Sequence, residues 1–220
     1  GNVVKKGKHV YVIGGQTWQD DQDVIVNRCE RYDLDTNTWE TLAHLNHARC
    51  SAMSFVLGNK VTIVGGFKGR DQYSNNDRWN NAEVYDEAQG KWHVVKLNGL
   101  PALEGAGVLK NPANPKEVLI FQGVTNEYDS QKVFKLKEDY SVEELKGSLN
   151  DKRKLAKVCA IDESTICLLG GEKVLVEFFD VKKGSTVQLD FAMEIESAVT
   201  KVLYIDGQIE KSLTNFSFTQ

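Results

Sequence analysis

The chain has 220 residues, 41% of them hydrophobic and 26% charged, enough apolar material to bury a core and outside the disordered range. Its 27 basic and 31 acidic residues leave a formal net charge of −4, which offers no general attraction to nucleic acid or anionic lipid. No run approaches the roughly eighteen apolar residues of a membrane span, and the polar start, Gly1 to Lys6, does not read as a signal peptide, so a soluble, intracellular protein without membrane insertion is expected.

In chain order, an apolar run ending in glycine keeps returning. Val10-Tyr11-Val12-Ile13-Gly14-Gly15 is followed by Val61-Thr62-Ile63-Val64-Gly65-Gly66, then by Val118-Leu119-Ile120-Phe121-Gln122-Gly123, then by Ile166-Cys167-Leu168-Leu169-Gly170-Gly171. The last glycines stand 51, 57 and 48 residues apart. A fixed period of about 20–50 residues signals a repeat architecture. After each of the first two glycine pairs comes a polar loop and a second strand, Glu30-Arg31-Tyr32-Asp33 and then Glu83-Val84-Tyr85-Asp86. Trp39 and Trp92 each follow their tyrosine by seven residues, so both aromatics recur at a separation of 53. Short β-branched runs suit strands buried on both faces, and the glycines permit sharp turns where strands crowd. Asn111 to Pro115 reads as a hairpin turn that lengthens the third repeat. Tyr140 to Leu145, within 139–149, could take a helical turn; elsewhere no helix of ordinary length is indicated.

These residues resemble the kelch repeat, whose mark is a hydrophobic run, Gly-Gly, a loop, a tyrosine and then a tryptophan. The resemblance implies an all-β, kelch-type β-propeller. Arg49 stands at the arginine expected to open the next repeat, with Glu104 and Lys154 in its place in the later repeats. The match weakens towards the C-terminus: Gln122 replaces a glycine, and no tryptophan follows Phe134 or Phe179. Blades are expected at about 1–48, 49–100, 101–150 and 151–192, with a partial one at 193–220 whose strands would be Val202 to Ile205 and Leu213 to Phe218. Most of the first blade's first strand is expected to be missing. About four and a half four-stranded blades would then form part of a six- or seven-bladed ring.

Sites of chemistry are sparse. His44, His47 and Cys50 offer three metal-ligand types, but residues three apart on a strand point to opposite faces, so no metal and no cofactor is expected. The four cysteines, Cys29, Cys50, Cys159 and Cys167, fall singly in apolar runs and read as buried thiols. No Gly-x-Ser-x-Gly occurs, and Gly65-Gly66-Phe67-Lys68-Gly69 lacks the ending of a phosphate loop. A non-enzymatic scaffold is therefore expected; a propeller enzyme with a site in the central channel is the alternative.

Loops that follow the glycine pairs would gather at one end of a propeller. The first, 16–23, is acidic around Trp18; the second, 67–81, carries Arg70, Tyr73, Arg78 and Trp79. Tryptophan, tyrosine and arginine dominate binding hot spots, although Trp18 and Trp79 could instead pack down their own loops. By resemblance to kelch adaptors, ligand contacts would come from Gln16 and Phe67, just past the glycine pairs, and from Ser51, two past the arginine. The expected partner is another protein. The chain would act as an adaptor or as a structural subunit of a large cytoskeletal or ciliary assembly in the cytoplasm.

Overall fold

The computed structural model describes residues 1–69, 77–125, 130–150, 154–170 and 176–188. They form seventeen strands and no helix. The first sheet contains β1 (Asn2–Lys6), β2 (His9–Gln19), β3 (Gln22–Asp33) and β4 (Thr38–Thr41); the second contains β5 (Met53–Leu57), β6 (Lys60–Val64), β7 (Asn81–Asp86) and β8 (Lys91–Lys96). The third holds a short β9 (Leu103–Glu104), then β10 (Gly107–Lys110), β11 (Glu117–Thr125), β12 (Ser130–Lys137) and β13 (Val142–Ser148). The fourth holds β14 (Lys157–Ala160), β15 (Thr165–Leu169), β16 (Val176–Asp180) and β17 (Ser185–Gln188). Each sheet is an antiparallel meander in chain order, with β9 added at the far end of β11 through Val124↔Glu104.

The sheets are propeller blades. Their first strands converge, β1 on β5, β5 on β10 and β10 on β14, so these line the axis. The glycine-ended runs occupy the second strand of each sheet. In β6 and β11 they are apolar without alternation because each strand is covered on both faces. Val61 and Ile63 of β6 pack towards the first sheet, whereas Val64 packs towards the third. In β11, Val118 and Ile120 join the core shared with the second sheet, and Leu119 and Phe121 the core shared with the fourth. A strand sandwiched between layers reads as a continuous hydrophobic run.

The glycine pairs are required by close approach. Gly14 has φ 56° and a Cβ there would sit 2.7 Å from the Arg49 carbonyl oxygen; Gly65 has φ 64° and its Cβ would lie 2.5 Å from the Leu103 oxygen. Each of these two pairs passes a hydrogen bond to the next blade: Gly15 N–H donates to Arg49 O and Gly66 N–H to Leu103 O, both at 2.8 Å.

Four expectations change. The first blade's first strand is present: Asn2–Lys6 pairs with β2 from Asn2↔Ile13 to Lys6↔His9. Residues 142–148 are a strand rather than a helical turn, because Tyr140 turns back at φ 65° and β13 pairs with β12. The hydrogen bonds from Gly15 and Gly66 make Leu103 the counterpart of Arg49, which moves Glu104 and Lys154 one place past the arginine position. The expected loop 16–23 is a hairpin arm, described below. The partial blade at 193–220 lies outside the described residues.

Candidate functional site

The end of the propeller next to the glycine pairs is built from three parts. The innermost is a backbone ladder around the axis. Gly105 N–H donates to Ser51 O and Leu155 N–H donates to Gly105 O, each at 2.8 Å. Ser51, Gly105 and Leu155 share a left-handed backbone, with φ of 49°, 62° and 61°. For serine and leucine that conformation is unfavourable, and the ladder holds it. The ladder exposes Leu155 at 60%.

The second part is the arm. Past a register shift between Ile13 and Gly15, β2 and β3 continue as a hairpin with Gln16↔Ile25, Thr17↔Val24, Trp18↔Asp23 and Gln19↔Gln22. Asp20 and Asp21 close it with φ of 48° and 59°, the doubly left-handed geometry of a two-residue turn that suits strand twist. Trp18 is 66% exposed on this arm and does not pack down on it. Asp20, Asp21 and Asp23 are exposed beside it. An indole standing in water among carboxylates can offer a partner apolar area and a negative field.

The third part is the connection from β6 to β7. Phe67 bridges Cys50 on one side and Arg78 on the other, which puts Ser51, Phe67, Arg78 and Trp79 in one neighbourhood. Trp79 is held tightly. Its Nε1 donates to Ala48 O at 3.0 Å, its ring lies 4.3 Å from that of His47, and Lys68 Nζ sits 4.7 Å from its centroid. Arg78 is also engaged, with Asp77 at 2.7 Å and Glu104 at 2.9 Å. Glu104 in turn faces Lys154 at 3.7 Å, so one chain of charges ties the second, third and fourth sheets. Arg70 and Tyr73 lie outside the described residues.

Arm and connection adjoin. A Cβ on Gly69 would be 3.9 Å from Ile25 Cδ1, and Ile25 is the cross-strand partner of Gln16. The sequence-derived candidates Gln16, Ser51, Phe67, Arg78 and Trp79 thus meet on one surface with Trp18 at its tip. Ile25, Lys68 and Leu155 belong to that surface and were not singled out from sequence. For Leu155 the signal was there, since Ser51, Gly105 and Leu155 recur at the repeat spacing.

Beneath the surface, Arg49 and Glu83 form a fully buried ion pair at 2.8 Å. Arg49 also donates from Nη1 to Gly65 O and from Nη2 to Asn81 Oδ1, both at 2.8 Å. Glu83 accepts from the backbone N–H groups of Asn46 (2.7 Å) and His47 (3.0 Å). Burial pulls the Arg49 pKa down and Glu83 opposes it. A guanidinium with its fork filled by main-chain and carboxylate acceptors is a structural clamp, because no donor direction is left for a ligand. Glu177 repeats the arrangement, accepting from Asn150 N–H at 2.6 Å. The His44-x-x-His47-x-x-Cys50 ligand types are spread by it: the His47 ring is at Glu83 (3.3 Å) and Trp79, while Cys50 is buried beside Phe67.

Comparison with known proteins agrees with this architecture. A family model described as the Kelch motif matches residues 2–46, the whole first sheet and its exit. An F-box/kelch-repeat protein of Arabidopsis thaliana is 30% identical over 98 residues, 44% of this chain and 26% of that protein. Kelch repeat and BTB domain-containing protein 12 of Danio rerio is 31% identical over 100 residues, 41% of this chain and 16% of its own length. Kelch-like protein 25 of Homo sapiens is 25% identical over 89 residues, 40% of this chain and 13% of that protein. The matches thus span about a quarter or less of these relatives. The solved structure of YjhT superposes with a TM-score of 0.68 at 14% identity, covering 86% of this chain and 70% of the other, a likeness of fold. The repeat, the four meandering blades and these relatives agree on a β-propeller that carries the kelch motif.

Proposed function

We propose that the chain is a non-enzymatic interaction scaffold that binds a partner protein through the arm and the β6–β7 connection. The exposed Trp18, carried on a projecting hairpin, is the observation that supports this most directly. A partner with an apolar pocket ringed by basic side chains would match Trp18 and the acidic turn. Arg78 and Trp79 then act from below, holding the connection in shape, and Phe67 and Ser51 form the rim. The names of the relatives couple kelch repeats with F-box or BTB domains, which supports an adaptor over a structural subunit of a cytoskeletal or ciliary assembly. We place the interaction in the cytoplasm.

Affinity capture from native extract with wild-type protein and with Trp18→Ala tests the reading. Proteins recovered by the wild type should be lost with the variant while its melting temperature is unchanged. Recovery of the same proteins by both would move the contact surface away from the arm.

A further inference from the structure

The fourth sheet sets two cysteines in direct opposition. Cys159 of β14 is the register partner of Cys167 of β15. Opposed residues of an antiparallel pair send their side chains to one face, with Cα atoms about 4.5–5.5 Å apart. That spacing falls within the roughly 4.4–6.8 Å that a disulfide spans. The equivalent register position holds Val4 and Tyr11 in the first sheet, Phe55 and Thr62 in the second, and Leu109 and Leu119 in the third. Where those blades place bulky groups, the fourth places two thiols.

Access and reactivity also separate this pair from the other cysteines. β14 is the innermost strand, so the half-buried Cys159 is approached from the axis, with Cys167 buried behind it. A hydrogen bond with Cys167 lowers the Cys159 thiol to about 7, against the opposing effect of burial. Burial pushes the Cys29 thiol up to about 11 and raises that of Cys50. A thiolate is the reactive form, so oxidation is directed to Cys159.

We propose that Cys159 and Cys167 form a reversible intramolecular disulfide when the protein meets hydrogen peroxide. The Cys159 thiol releases its proton to solvent, the thiolate attacks one peroxide oxygen, the O–O bond breaks, and the departing hydroxide takes a proton back from solvent to become water. Cys159 is left as a sulfenic acid. The Cys167 sulfur then attacks that sulfur, the S–O bond breaks, and the hydroxyl leaves with the Cys167 proton as a second water. The two sulfurs together lose two electrons, and the peroxide gains them. The product pins the axial strand of the fourth blade to its neighbour.

Trypsin releases both cysteines in one peptide, residues 158–173, because Lys157 and Lys173 flank them. The whole chain is treated with hydrogen peroxide, alkylated and digested for mass spectrometry. The expected result is a 158–173 peptide lighter by two hydrogens and unalkylated, reverting with a thiol reductant, while Cys29 and Cys50 stay alkylated. In Cys167→Ser, Cys159 should be trapped as sulfenic acid by a carbon nucleophile; in Cys159→Ser, Cys167 should stay alkylatable. The proposal is overturned if wild-type Cys159 oxidises while Cys167 remains alkylatable, if the bond joins two chains, or if Cys29 and Cys50 are lost as fast.

Discussion

Tyr11 shows how one side chain couples two blades. Its ring is fully buried on β2, and its hydroxyl donates to Glu87 Oε1 at 2.6 Å across the gap to the second sheet. Glu87 also receives Lys6 Nζ at 2.7 Å. Burial first, and then the Glu87 carboxylate, push the phenol from 10 up to about 12, while Lys6 and Tyr11 hold Glu87 below its usual value. Because the neutral phenol is the favoured form, its contribution is complete below about pH 10 and is lost as pH rises towards 12. The Glu87 contribution has the opposite sense, present above about 4.5 and lost as acid protonates the carboxylate. Urea unfolding of the wild type should therefore show a falling midpoint between pH 10 and 12. Tyr11→Phe should reduce that slope, leaving the part due to the other groups that burial raises, Tyr85, Tyr140 and the Cys29 thiol among them, and should cost about 1 kcal/mol at neutral pH for the lost hydrogen bond. An unchanged slope in Tyr11→Phe would remove Tyr11 as its source.

At the scale of elements, the arm is where local sequence and structure part company. The acidic stretch 16–23 reads as a loop, yet Val24, Ile25 and Val26 are strong strand formers and draw Gln16 and Thr17 into pairing. Two aspartates then occupy left-handed positions that Asn-Gly would fill with less strain. The double variant Asp20→Asn, Asp21→Gly should stabilise the protein by about 0.5–1 kcal/mol and raise its melting temperature by roughly 2 °C. Calorimetry showing no gain would mean that the arm opens before the core unfolds. The converse occurs at 142–148, where Glu143, Glu144 and Leu145 carry helix propensity that pairing with β12 overrides. Among the glycine-ended strands, β6 and β11 were legible because burial on two faces leaves a run that no surface segment imitates. What holds Trp79 in place is not local in sequence: its indole donates to Ala48, a carbonyl 31 residues away.

For the whole molecule, the repeat describes an interface rather than a unit, and this limits what one repeat can reveal. Trp39 and Trp92 hold the same place in their repeats, each seven residues past a tyrosine, but only Trp92 lies between two described blades. Its ring meets that of Tyr85 at 5.0 Å with a tilt of 44°, its Nε1 donates to Ala43 O at 2.9 Å, and it is 5% exposed in a core with Leu42 and Leu45, which follow the first sheet. Trp39 touches Tyr32 at 5.1 Å and is 59% exposed, since the first sheet has no described blade on that side. Truncating the two should therefore have unequal consequences. Trp92→Ala opens a cavity in the core between the first and second blades and should cost about 3–5 kcal/mol. Trp39→Ala removes an indole already in water and should stay within about 0.5 kcal/mol of wild type. Guanidinium titrations of both variants make the comparison. Equal losses would show that in solution the outer face of the first blade is covered as the second one is, by a surface that takes the place the first sheet fills for Trp92.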